Sequence, residues 1–144
     1  MDTNILLRML QPHHPHAPVA ERALGLCRRR NEPLTIVSQN VVEFWAVVTR
    51  PLAENGLGFT IEEAVAELGA LKRLFLLLPE VPLQDEWERL VAAYRVSGKK
   101  THDVRLVAAM AAHGIRNILT FNAQDFAPYA GITVLDPHTL SQGI

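Results

Sequence analysis

Apolar and polar positions fall into blocks along this chain, mostly at helical spacing, with short solid apolar runs between them. "VAERALGLCRRR" (19–30) sets Val19, Ala23, Leu26 and Cys27 on one face with Pro18 suited to a first turn, and predicts a helix. "LTIVS" (34–38), bounded by Pro33 and Ser38, predicts a buried strand. "SQNVVEFWAVVTR" predicts a second helix, capped by Ser38 or Asn40 and closed by Pro51. After the loop "PLAENGLGF", Thr60 and Glu63 have the spacing of a capping box and open a helix whose expected apolar face is Ile61, Val65, Leu68 and Leu71. It runs into "LFLLLP", a predicted strand ending at Pro79. "DEWERLVAAYRV" predicts an amphipathic helix through Trp87, Leu90, Val91 and Tyr94 that stops at Ser97–Gly98. "HDVRLVAAMAAHG" predicts another, closed by Gly114, and "NILTF" and "ITVLD" predict two short strands around a polar turn.

Strands alternating with helices imply a parallel sheet covered on both faces, an α/β fold in the form of a three-layer α/β/α sandwich. The 144 residues suit one domain spanning 1–144. A composition 49% hydrophobic and 20% charged excludes a disordered chain. No apolar run is long enough to span a bilayer, and no signal-peptide pattern begins the chain. The lone Cys27 cannot form an internal disulfide, which points to a reducing, cytoplasmic setting. A net charge of −1 does not advertise nucleic-acid binding, but local basic patches matter more than the sum.

In a sheet of this kind ligands gather at the carboxyl ends of strands. Four acids fall at or near such places: Asp2 in the opening "MDTNILLRML", Glu43 as the only charge in "NVVEFWAVV", Asp103 in "KKTHDVRLVAAM", and Asp125 in "TFNAQDF". Each has an ordinary explanation. Asp103 suits the positive end of a helix dipole, Asp125 a turn, and Asp2 a frayed terminus. Glu43 sits among Val42, Phe44, Trp45 and Val47, where an unpaired carboxylate is costly; an ion pair with Arg50 or Arg105 is its ordinary explanation. Taken together, acids converging in a cleft repel one another unless a cation neutralises them, and oxygen ligands without histidine or cysteine select Mg2+ or Mn2+. Such ions bind phosphate oxygens and activate water, which is the chemistry of phosphodiester hydrolysis.

"DTN", the glutamate in "SQNVVEFWAVVTRP", "THDVRLVAAMA" and "LTFNAQDF…ITVLDP" together resemble a PIN-domain ribonuclease of the VapC toxin type, in order and spacing over nearly the whole chain. The resemblance implies a short, mainly parallel five-stranded sheet and a Mg2+- or Mn2+-dependent endoribonuclease that cuts RNA with a metal-activated water. It also implies a cognate antitoxin protein that blocks the site, and a homodimer. Matched position by position, Asp2, Glu43, Asp103 and Asp125 are the expected catalytic acids, with Asp2, Glu43 and Asp103 as metal ligands. The fourth acidic position falls at Asn122 or Asp125. Thr3, Asn4, Thr120 and Asn122 match small polar positions that orient the acids. In the family several aliphatic residues precede the first aspartate and form the central strand. Here Met1 alone does, so either the natural start lies upstream or that strand is a stub. A free amino group beside Asp2 would add positive charge near the metal and weaken its binding.

The aliphatics after Asp2 are expected to pack under the sheet, and Phe44 and Trp45 to enter the core. "QPHHPHAP" carries His13, His14 and His16, but its prolines mark a solvated loop rather than a zinc site. "RRR" (28–30) reads as a solvated helix end. Lys99, Lys100 and His102, just before Asp103, are candidates for holding an RNA backbone, against simple surface charge. Two competing functions share the scaffold: an inactive RNA- or protein-binding module, and a phosphoacceptor domain, for which "DTN" lacks a second aspartate.

Overall fold

The computed structural model describes residues 1–142. Among these the order is α1 (Thr3–Arg8), α2 (Ala17–Arg29), β1 (Thr35–Ile36), α3 (Ser38–Thr49), a 3-10 turn (Leu52–Glu54), α4 (Ile61–Leu74), β2 (Leu76–Leu77), α5 (Gln84–Ala93), α6 (Lys100–Ala112), β3 (Asn117–Leu119), α7 (Ala123–Phe126), β4 (Thr133–Leu135) and α8 (Pro137–Gln142). β1 pairs parallel with β2, and β3 parallel with β4. The two pairs are joined by the first two residues. The Met1 amino group donates to the Thr35 carbonyl at 3.1 Å, and the Asp2 amide donates to the Leu119 carbonyl at 3.0 Å. Met1–Asp2 therefore occupies the central position of a surface ordered β2-β1-(1–2)-β3-β4, a stub with one hydrogen bond to each side. The expected five-stranded sheet is present as four short parallel strands and this segment.

Side-chain alternation along a strand shows that the sheet is covered twice. Ile118 and the adjacent Leu119 of β3 are both buried, yet each belongs to a different core. Leu119 packs with Ile5 and Leu6 of α1, Leu24 of α2, Phe44 and Val48 of α3 and Leu71 of α4. Ile118 packs with Leu90 of α5, Val104 and Val107 of α6 and Phe126 of α7. Helices on both faces of a parallel sheet form the expected three-layer sandwich, and both Phe44 and Trp45 face the first core.

Several local expectations are corrected. The apolar face of α4 is only half as expected: Leu71 is buried and Leu68 packs against the first core, but Ile61 and Val65 are 56% and 58% exposed and Ala64 is buried instead. Helices α3 and α4 are in contact, and the small Ala64 lets their backbones approach where valine would hold them apart. Helix α5 ends at Ala93 rather than at Ser97–Gly98, and Arg95 adopts a left-handed conformation with φ 53°. Helix α6 ends as expected, with Gly114 at φ 67°, a conformation that costs glycine little. The cap of α3 is Val37; Asn40 serves from inside, its side-chain oxygen accepting the Val37 amide at 2.9 Å. The histidine loop is partly packed, since His16 stacks on Phe121 at 4.5 Å and meets His138 edge-on at 5.0 Å.

The capping box of α4 is formed as predicted: the Glu63 amide donates to Thr60 Oγ1 at 3.1 Å, and the Thr60 amide donates to Glu63 Oε1 at 3.3 Å. Thr60→Ala removes the first bond and is expected to cost about 1 kcal/mol. Urea denaturation checks this, as a lower midpoint with an unchanged slope.

Candidate functional site

Asp2 ends the central stub and caps α1, its Oδ1 accepting the Thr3 amide at 2.7 Å. Its Oδ2 accepts the hydroxyl of Thr120 at 2.7 Å, and Thr120 is fully buried just past β3. Asn4 donates to the same hydroxyl oxygen at 3.4 Å, and the Asn122 amide donates to it at 3.0 Å. One buried threonine thus fixes the first carboxylate and is itself held from two elements.

Glu43 lies in the middle of α3, half-buried, with both oxygens engaged. Thr3 Oγ1 donates to Oε2 at 2.7 Å, and Gln39 Nε2 donates to Oε1 at 2.8 Å. The ion pair considered for Glu43 is not formed: Arg105 donates to Gln39 Oε1 at 3.3 Å, and Arg50 to the Asn55 carbonyl at 3.5 Å. Neutral donors orient this carboxylate and leave its charge in place. Asn40, 1% exposed, donates to the Met1 carbonyl at 3.0 Å and to Thr3 Oγ1 at 3.1 Å. It locks α3 to the stub and to α1, so Asp2 and Glu43 keep a fixed relation.

Asp103 stands in the first turn of α6 and Asp125 in α7, the four-residue helix after β3. Burial, then repulsion from Asp2, Asp125 and Glu43, pushes the Asp103 carboxyl up to about 6, against a weak opposite pull from His102. The Asp2 carboxyl is also raised, chiefly by burial and further by Glu43, with the Thr120 and Thr3 hydrogen bonds working the other way. Charge repulsion of this size acts only over short, poorly screened distances. Asp2, Glu43 and Asp125 are therefore near enough to Asp103 for their charges to act on it. Asp125 contributes to its field, whereas the Asn122 side chain is exposed.

The buried Met1 amino group is pushed down to about 6 by desolvation, opposed by Asp2. At neutral pH it is mostly uncharged, so the expected positive charge beside Asp2 is largely absent there. Among the described residues no three acidic, histidine or cysteine side chains close into a ready metal cage. An all-oxygen set of mutually repelling carboxylates nonetheless fits a hard cation that keeps several waters and takes only one or two carboxylates directly.

Two participants escaped the sequence reading. Gln39 bridges Glu43 to the His102 carbonyl (2.8 Å), and so ties α3 to α6. Its only sequence signal is the four-residue spacing to Glu43 on one helix face. Asn40 was read as a cap, and its full burial was not legible. Of the proposed basic contacts, Lys99, Lys100 and His102 are all exposed, and His102 uses its carbonyl within the site.

Two curated relatives, each named Ribonuclease VapC24, come from the CDC 1551/Oshkosh and ATCC 25618/H37Rv strains of Mycobacterium tuberculosis. Each is 28% identical to this chain over 145 residues, covering 96% of both sequences. No solved structure matches significantly. The PIN domain family profile matches residues 1–132, which include all four acids. By that match the chain belongs to the PIN domain family.

Proposed function

We propose that this protein is an endoribonuclease, acting as one domain and as the toxin of a toxin–antitoxin pair. The observation that carries the reading is the group of carboxylates: Thr3, Thr120 and Gln39 fix Asp2 and Glu43, and the charges of Asp2, Asp125 and Glu43 hold the Asp103 carboxyl up, with no ion pair to any of the four among the described residues. A site that stores uncompensated negative charge is poised for a divalent cation and, through it, for a phosphate. Asp2, Glu43 and Asp103 are the residues that would hold Mg2+ or Mn2+, with Asp125 adjacent. When bound, the ion supplies Lewis acidity and lowers the pKa of water to that of a usable nucleophile. The chain's own residues orient the acids: Thr120 and the Thr3 amide fix Asp2, and Thr3 Oγ1 and Gln39 fix Glu43. Asn4 and Asn122 hold Thr120 in turn. The name of the 28%-identical relatives supports ribonuclease activity.

The partners proposed on this reading are an RNA substrate, a cognate antitoxin protein and a second copy of the chain. Among the described residues no helix is long and apolar enough to cross a membrane; a cytoplasmic location is part of the proposal. The test is direct. The purified chain should cleave single-stranded RNA in Mg2+ or Mn2+, and stop when EDTA is added. An inactive binding module on the same scaffold is the second reading, favoured by the lack of a ready metal cage among the described residues. Such a module would neither cut RNA nor bind Mn2+.

A further inference from the structure

Beside the acids lies a groove of about 500 Å3 whose lining includes Tyr94, Arg95, Lys99, Lys100, Pro128 and Tyr129. It is built by three segments held in register. The Ala130 amide donates to the Tyr94 hydroxyl at 2.9 Å, tying the end of α5 to the chain after α7. Trp87 Nε1 donates to the Thr101 carbonyl at 3.0 Å, tying α5 to the first turn of α6. Tyr94 and Tyr129 meet edge to face at 4.9 Å. Three cations therefore stand on a fixed wall.

Among the described residues those cations have no counter-ion. Among the described residues the one ion pair is Glu86–Arg89, at 2.6 Å. Nor is either lysine ion-paired with one of the four acids among the described residues. Arg95, Lys99 and Lys100 are all exposed, and Arg95 holds a left-handed backbone that is unfavourable for a residue with a Cβ. The groove lies at the start of α6, where Lys99 and Lys100 stand four and three residues before Asp103 in the first turn. A positive groove thus adjoins the acids.

We propose that this groove is the subsite for the phosphates of a single RNA strand flanking the bond that is cut, with Arg95, Lys99 and Lys100 pairing with successive backbone phosphates. The inference rests on the ribonuclease reading. A polyanion approaching four carboxylates is repelled, and cations at the start of the helix that carries Asp103 offset that repulsion. Such contacts fix the strand's path without reading its sequence. An acidic protein segment would satisfy the same cations, but it would not need to continue toward the acids.

Binding of a fluorescent single-stranded RNA in EDTA, measured against salt, tests the groove independently of cleavage. Each phosphate contact contributes about 0.7 to the slope of log affinity against log salt. Lys99→Ala/Lys100→Ala should reduce that slope by about 1.4. Adding Arg95→Asn, which tolerates the left-handed backbone, should reduce it by about 2 and weaken binding at 0.1 M salt about a hundredfold. The charge-matched control Lys72→Ala/Arg73→Ala, on exposed positions of α4, should leave the slope unchanged. Circular dichroism confirms folding of each variant. An equal slope change in the control and groove variants, or none in either, overturns the proposal and leaves the groove to an acidic protein segment. RNA binding that depends on the groove, in a chain that never cuts RNA in Mg2+ or Mn2+, would instead sink the ribonuclease reading and leave the groove standing.

Discussion

Asp103→Asn is expected to lower RNA cleavage about a thousandfold in Mg2+, the loss of several kcal/mol of charge stabilisation at the reacting phosphate. The same substitution should make the metal-free protein more stable at pH 8, not less. The amide keeps the shape of the carboxylate and removes the charge that Asp2, Asp125 and Glu43 repel. A carboxyl held up near 6 destabilises the fold whenever it is ionised. Asp103 is half-exposed, so solvent screening reduces the gain to about 1 kcal/mol. That corresponds to a rise in Tm of about 2–4 °C for a chain of this size. Single-turnover cleavage of labelled RNA and thermal unfolding in EDTA measure the two effects on one preparation. A variant that cuts at the parental rate refutes the role given to Asp103. One that loses both activity and stability shows a structural role instead.

The opposite signs of those effects bear on how much of the site was legible in the sequence. Glu43 stood out because a lone charge in an apolar run is costly unless something answers it. What answers it was not legible: Thr3 is 40 residues away, and Gln39 looks like any polar residue on a helix surface. An arginine partner was the ordinary alternative weighed for it, and neutral donors stand there instead. They hold the carboxylate without cancelling it, and a site for an external cation requires that. The acids of α6 and α7 were identified by position, but the packing that brings their charges to act on one another was not legible.

The fold was legible where periodicity is long and was lost where elements are short. Helices α2, α3, α4 and α6 lie close to their predicted spans. Helix α1, with six residues, and α7, with four, are too short to show a repeat. The strands shrank to two or three residues because their outer residues pass into loops and helix caps. On α4 Leu68 and Leu71 turn inward as expected, whereas Ile61 and Val65 stay exposed and the smaller Ala64 is buried in the first core. Hydrophobicity ranks faces, and close packing of helices ranks them again by size.

Mn2+ affinity is expected to fall about tenfold between pH 7 and pH 5, because a ligand must be deprotonated to bind and the Asp103 carboxyl titrates near 6. The Met1 amino group acts in the same direction, gaining a positive charge beside Asp2 as pH falls through about 6. In the metal-free protein the two groups oppose each other. Asp103 has its folded pKa raised from 3.8, so its contribution to stability is full below that value and is lost as pH rises through about 6. The amine has its folded pKa lowered from 8.0, so its contribution is full above that value and is lost as pH falls through about 6. These two groups alone give a shallow stability minimum near pH 6, and Mn2+ should deepen the contrast by stabilising the protein at pH 8 far more than at pH 5. Calorimetric titration with Mn2+ at pH 5, 6 and 7, alongside thermal unfolding with and without the ion, measures both. The titration should flatten in Asp103→Asn. An affinity that is flat with pH in the parent protein would mean that Asp103 does not hold the ion, whatever becomes of the other acids.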